Sequence, residues 1–512
     1  MGEGFSAYTN ASGDHPFKIG LSIEKESSAH KTLRLRAFYR QFPTGEAPHE
    51  YYKYLAGDLG KDPEEQLYRL PHLQQQAKAA AEEARRLTLG EENTEIERSI
   101  KKALGKNPGN WLLIGGPPCQ AYSLVGRSRN AGNADYKAED DHKSYLYKEY
   151  LNIISRFKPA VFVMENVKGM LSAKLDGVHI FDKIRKDLHC PTQATDSKEA
   201  KHEYEIFSLV IKSGNDLNGR IEPSSKDFII RSENYGVPQA RHRVILLGVR
   251  SDIASKMQQL GLLVESPGPS VQQMIADLPR LRSGLSKGED SMENWASAIH
   301  QHSVLPIEAM KKSSLETVAQ IMEKSVQKIG TENMGRGGNW DHRTTKGLPS
   351  DVGANLCGWI KDPRGWEGVC NHETRGHIQG DLIRYLFCSS YGAVKHDDGR
   401  WTPKASDFPS ALAPNHSNWN SGKFADRFRV QAAVKYATTI TSHISKDGHY
   451  FIHYDPTQCR SMTVREAARI QTFPDNYFFV GNRTQQYTQV GNAVPPFLAR
   501  QIADIVYRII HS

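Results

Sequence analysis

Trp111-Leu-Leu-Ile-Gly-Gly-Pro-Pro-Cys119 is the stretch on which the fold turns. Four apolar residues of strand length run into two glycines and two prolines, so the strand must stop abruptly on a stiff, sharply turning loop. Two further runs have the same character. Val161-Phe-Val-Met164 ends directly on Glu165-Asn166-Val167, and Val244-Ile-Leu-Leu-Gly-Val249 is apolar throughout. Continuous apolar runs of this length suit strands covered on both faces. Amphipathic stretches alternate with them from about Gly20 to Gly248, which predicts an open, mostly parallel α/β sheet flanked by helices. In such sheets ligands sit beyond the carboxyl ends of the strands, so chemistry is expected where these runs stop.

The chain of 512 residues exceeds what one hydrophobic core usually organises, so two domains, or one with a large insertion, are expected. At 38% hydrophobic and 24% charged residues it can bury a core, which excludes a disordered or fibrous chain. No run approaches the roughly 18 to 20 apolar residues of a membrane span, and no secretory signal opens the sequence. A cytoplasmic protein without a membrane partner is expected. Lys and Arg number 66 against 58 Asp and Glu, and this +8 balance permits a polyanionic partner without requiring one. Six scattered cysteines imply reduced thiols rather than a disulfide framework. Cys357, Cys370 and Cys388 lie near His372 and His377 in sequence but lack CxxC or HxxxH spacing, so no metal is expected.

Gln74 to Leu87 is rich in Ala, Glu, Gln and Arg and predicts an exposed, peripheral helix. From Ser251 to about Gln458, Gly, Asn, His and Trp become common, and Thr331 to Asp341 looks loop-like. Helical periodicity returns over Thr463 to Thr472 and Phe497 to Ile510. The boundaries read as 1–250, a second irregular domain over 251–460, and 461–512 returning to the first.

A rigid Gly-Gly-Pro-Pro turn can present the Cys119 thiol in a fixed position; a buried cysteine beside a structural turn is the equal alternative. Glu165 could act as a general acid where partial burial raises its pKa, although a helix N-cap explains Glu-Asn-Val as well. In Gln239-Ala240-Arg241-His242-Arg243 the Gln and both Arg alternate. An extended segment would put all three on one face, suited to phosphate or base contact, against the alternative of a solvated edge.

Taken in order, PPCQ at Pro117 to Gln120, ENV at Glu165 to Val167, QxRxR at Gln239 to Arg243, REAARIQTFPD at Arg465 to Asp475 and QVGNAVPP at Gln489 to Pro496 resemble the cytosine-C5 DNA methyltransferase family of bacterial restriction-modification systems. The resemblance implies a Rossmann-like methyltransferase fold, with 251–460 as the target-recognition region. It implies methylation of cytosine C5 in a specific double-stranded DNA sequence, with S-adenosylmethionine as the donor. Cys119 is then the nucleophile that adds to C6 of a flipped base, Glu165 the group at N3, and Arg241 and Arg243 the arginines that hold the base or its phosphate. Gln120 and Ser123 fall on the loop that closes over the base, and Gln239 with them at the DNA.

For the cofactor, the resemblance implies Glu24 on the ribose hydroxyls, with Lys25 beside it, and Asp58 and Leu59 at an adenine-contacting turn. Pro117, Leu146, Asn492 and Val494 complete the expected pocket. The family opens with a strand and an FxGxGG turn. Met1 to Ser6 resembles only the tail of that motif, so the strand is expected to be missing, with Gly4 and Phe5 as its remnant at the cofactor. A monomer is expected, paired in function with a cognate restriction endonuclease. A tRNA cytosine methyltransferase, a catalytically silent DNA-binding relative and a generic thiol enzyme are the rivals. The long middle region favours DNA over tRNA, and no clear base near Cys119 supports the thiol enzyme.

Overall fold

The computed structural model describes residues 1–117, 146–175, 177–195, 201–211, 223–415 and 427–511, with 199, 214–216, 219–221 and 419 besides. The chain opens with a short helix α1 (Gly2–Ser6), then β1 (Ser22–Ile23), α2 (Ser27–Tyr39) and α3 (His49–Ala56). The Ala-rich stretch forms α4 (Gln74–Glu83), but it runs straight into β2 (Ala84–Arg85), which pairs in parallel with β1. This helix is not peripheral: Ala77 and Ala80 are buried against α2. Small side chains at helical spacing let the two helices approach closely, a packing role that composition alone does not reveal.

The central sheet is built from β3 (Leu112–Gly115), β4 (Val161–Val167), β5 (Tyr204–Phe207), β6 (Ile229–Arg231) and β8 (His242–Arg250), in the order β6-β8-β4-β3 with β5 also on β8. The helix α5 (Leu146–Phe157) crosses between β3 and β4, and β7 (Gln239–Ala240) precedes β8. Within this sheet the parallel character expected is confined to β3–β4, because β8 runs antiparallel to β4, β5 and β6; the separate β1–β2 pair is parallel as well. Alternation decides the two faces of β4. Val161 and Val163 point to a core shared with the C-terminal helix, and Phe162 and Met164 point to one shared with α5. Burying each such side chain stabilises the fold by about 1.5 to 3 kcal/mol. On the other side of β3, no strand among the described residues joins it to β1, and β3 stays half-buried although its sequence is apolar.

The middle of the chain supplies α6 (Met292–Lys311), α7 (Glu316–Lys328), β9 (Gly337–Thr344), β10 (Gly368–Glu373) and α8 (Gln379–Gly392), with a core of its own around Trp295, Met322, Leu386 and Phe428. The stretch read as a loop thus holds a strand, β9, paired antiparallel with β10 and largely exposed. Its Gly and Asn residues hide it from propensity; the partner strand imposes the conformation. After β11 (Ala437–Thr438), three helices return to the first half: α9 (Val464–Ile470), α10 (Arg483–Asn492) and α11 (Pro496–Ile510).

The α1–α11 contact depends on Gly4. A β-carbon there would stand 2.3 Å from the Pro496 carbonyl oxygen and 2.7 Å from the Ala499 β-carbon. Gly4→Ala is therefore expected to cost about 1 to 3 kcal/mol, read as a lower unfolding midpoint. An unchanged midpoint would mean that the two helices are not held this close.

A buried polar block anchors α9. Arg460 makes a two-pronged ion pair with Glu466, whose carboxylate also takes the Thr463 amide at 2.7 Å in a capping box. His453 lies 3.6 Å from Glu466, and His372 bridges the Thr463 hydroxyl and the Pro279 carbonyl, both at 2.8 Å. Burial pushes His372 down to about 4 and His453 to about 3. The unfolded chain protonates these rings near 6.5. Between pH 6.5 and 4 the unfolded state therefore binds more protons, and stability falls as pH falls through that window. The expected result is a loss of about 3 kcal/mol or more by pH 4, with a shallower decline in His372→Gln. Thermal unfolding as a function of pH measures it, and a flat profile from pH 7 to 4.5 would contradict it.

Candidate active site

The tip of β4 organises the site. Glu165 faces Ile245 across the antiparallel ladder, which makes Arg243 its diagonal neighbour two residues along. The Arg243 Nε donates to Glu165 Oε1 at 2.8 Å, and both side chains are mostly but not wholly buried, 16% and 13% exposed. The carboxylate is thereby held in one orientation at the end of a rigid strand. Gly116 lies directly against it. A β-carbon on Gly116 would stand 2.8 Å from Glu165 Oε2, so the second glycine of the turn is needed for the backbone to pass over the carboxylate. Asn166 adds a tether, its Nδ2 donating to the Pro117 carbonyl at 3.4 Å while its Oδ1 accepts the Val167 amide at 2.8 Å. Beneath β3, the buried Tyr150 hydroxyl reaches the Leu113 and Val163 carbonyls at 3.3 and 3.2 Å. The last described residue of this loop is Pro117; Cys119, Gln120 and Ser123 lie outside the described residues.

Arg241 and Gln239 require correction. The segment is not one extended strand: β7 pairs in parallel with β11, β8 pairs with β4, and Arg241 sits at the break between them. Its guanidinium is 1% exposed and donates to the Ile440 and Gly491 carbonyls at 2.8 and 3.0 Å. Burial, then the neighbouring Arg243, push it down to about 9 against the opposing pull of Glu165. An arginine so enclosed holds protein backbone rather than base or phosphate. Gln239 is wholly buried too, accepting from the Ile440 amide at 2.7 Å and bonding to Gln471, whose own amide reaches the Val490 and Ala493 carbonyls. It is therefore unavailable to DNA. Of the three residues only Arg243 reaches the site.

The expected cofactor residues divide. Glu24 is half-buried at the tip of β1; its Oε1 accepts the Glu26 amide at 2.8 Å, and its own amide bonds to the Arg85 carbonyl. Lys25 is exposed, with its carbonyl held by the Arg86 Nε at 3.3 Å. Asp58 and Leu59 do not join them. They follow the end of α3, where the turn at Gly57 lies against the Trp340 ring and Asp58 is exposed. The strand beside β1 is β2, which Arg86 and Leu87 follow. The signal missed was the change from helix formers to Arg-Arg-Leu-Thr-Leu after Glu83. Phe5 is 1% exposed and packs in the core against Phe17, so neither it nor the crowded Gly4 offers an open contact. Pro117 and Val494 are buried, Leu146 is half-buried at the start of α5, and Asn492 is exposed at the end of α10.

S-adenosylmethionine carries ribose hydroxyls and an adenine, and Glu24 fits the first with a half-buried carboxylate at a strand tip. Ile23, Leu87 and Leu89 supply apolar surface nearby. Among the described residues, no cluster of three His, Cys, Asp or Glu side chains could hold a metal ion, and no helix is long and apolar enough to cross a membrane.

A glycine-proline turn seated on a Glu–Arg pair at the tips of an α/β sheet, closed by helices that follow REAARIQ and QVGNA, defines a class. The sequence profile of the C-5 cytosine-specific DNA methylase family matches residues 76–190 and 224–508, and the chain belongs to that family. The type II methyltransferase M.Bpa9945I of Bacillus paralicheniformis is 31% identical, over 97% of this chain and 95% of its own. The type II methyltransferase M.DdeI of Desulfomicrobium norvegicum is 27% identical over 77% of this chain and 71% of its own. The DNA (cytosine-5-)-methyltransferase M.ApeKI of Aeropyrum pernix is 24% identical over 78% and 82%.

Proposed function

We propose that this protein methylates C5 of cytosine in a specific double-stranded DNA sequence, with Cys119 as nucleophile. The observation that carries the reading is the Glu165–Arg243 pair, on which the Gly116-Pro117 turn leading to Cys119 rests. Cytosine C5 is too weak a nucleophile to take a methyl group unaided, and addition of a thiolate to C6 makes it enamine-like. In this reading the Glu165 carboxyl group delivers a proton to ring N3 as the thiolate adds to C6, offsetting the charge that addition creates, and Arg243 fixes the carboxyl group. S-adenosylmethionine supplies the methyl group, with Glu24 at its ribose. Loss of the C5 proton and release of the thiol then complete the exchange. A stacked base exposes neither C6 face, so the target must be flipped out of the duplex.

In this reading residues 251–460 recognise the target sequence, and 461–512 complete the catalytic domain. The protein acts as a monomer in the cytoplasm, on the DNA itself, with a restriction endonuclease as functional counterpart. The test is transfer of labelled methyl from S-adenosylmethionine to DNA, with bisulfite sequencing to locate the product. Methyl found in tRNA and absent from DNA would overturn the substrate; DNA binding without any transfer would leave only a silent relative.

A further inference from the structure

Outside the reaction centre, four arginines gather around Thr374, just after β10. Arg336 Nη2 and Arg483 Nη1 both donate to the Thr374 carbonyl oxygen, at 3.0 and 2.9 Å, so two guanidinium groups converge on one atom. Each remains about a third exposed, 33% and 35%. Arg375 and Arg282 stand behind them, both at least nine-tenths buried, and their Nε atoms lack partners among the described residues, as does that of Arg336. Against four arginines stand three carboxylates, Glu293 acting on Arg282 from the exposed start of α6 and the pair Asp290 and Glu373. Asp290 is shared between Arg282 and Arg336 at 2.6 and 2.9 Å, and Glu373 reaches Arg483 only at 3.8 Å. The buried His377 registers the excess: after burial itself, Arg375, His449, Arg483 and Arg336 all push its pKa down.

Converging guanidinium groups repel one another unless an anion lies between them, and planar forks of donors suit phosphate oxygens. The location suits DNA. Arg483 begins α10, and Gly491 near its other end is held by Arg241, two residues from the arginine that pairs with Glu165. Eight residues of helix span about 12 Å, the length of a few base-pair steps of duplex. We propose that Arg336 and Arg483 together clamp one backbone phosphate of the DNA substrate. This rests on the reading of the protein as a DNA methyltransferase. The pair positions the duplex and carries no sequence information.

The test is equilibrium binding of the full chain to two duplexes, one containing the methylated sequence and one lacking it, across a range of salt. Neutralising one phosphate contact should make the slope of log K against log salt shallower by about 0.9. Arg483→Gln, which among the described residues gives up contacts to Thr374 and Glu373, is expected to give that change and about a tenfold loss of affinity on both duplexes. Arg483→Lys should restore much of the slope, which a purely structural role would not require. Arg336→Gln should reproduce the effect, with circular dichroism confirming the fold. An unchanged slope in folded Arg483→Gln, or a loss confined to the methylated sequence, would overturn the clamp while leaving the enzyme reading intact. Wild-type protein that binds neither duplex would overturn the enzyme reading itself.

Discussion

Cys119→Ser is expected to reduce methyl transfer on the order of 10⁴-fold or more while DNA affinity stays within a few-fold of wild type. A serine hydroxyl is far less nucleophilic than a thiolate, so addition to C6 should fail. Binding energy comes from phosphate and base contacts that the substitution leaves in place. Side-by-side transfer and gel-shift assays separate the two. Parallel loss of both would return Cys119 to the alternative in which it merely packs beside the turn.

The second large effect falls on stability. Arg241→Ala removes both donors from the Ile440 and Gly491 carbonyls inside a closed interior, leaving two unpaired acceptors and a cavity. A loss of about 2 to 3 kcal/mol is expected, seen as an earlier midpoint in denaturant unfolding. Arg243→Ala should show the opposite profile, with turnover reduced by about 10² and stability nearly kept, because its partner is a carboxylate at a partly open site. If Arg241→Ala instead unfolded like wild type and slowed turnover, the guanidinium would have to turn toward the base.

These two arginines show how far sequence carries. Alternation put Gln239, Arg241 and Arg243 on one face of an assumed single strand, but the chain changes partner at Arg241, from β11 to β4, and the faces separate there. Such a break is set by tertiary pairing across some 200 residues and leaves no local signature. The apolar runs of β4 and β8 were readable because strands buried on both faces need little beyond their own composition, and β3 carries the same signal although it stays half-buried. Glu165 ends one of those runs and Arg243 opens another, and the antiparallel pairing of β4 with β8 brings the two together. At Asp58 the local signal is double-edged, since Gly-Asp also ends helices: Gly57 caps α3 with a left-handed backbone, φ 82°. The strand that belongs beside β1 was concealed by the Ala-rich helix running into it.

The central claim is a covalent bond between one sulfur and one pyrimidine carbon. Incubating the protein with S-adenosylmethionine and a duplex carrying 5-fluorocytosine at the target position blocks the final loss of the C5 substituent. Peptide mapping by mass spectrometry should then find a stable protein–DNA adduct on the peptide containing Cys119. No adduct in a preparation that methylates ordinary DNA, or an adduct on another cysteine, would contradict the account.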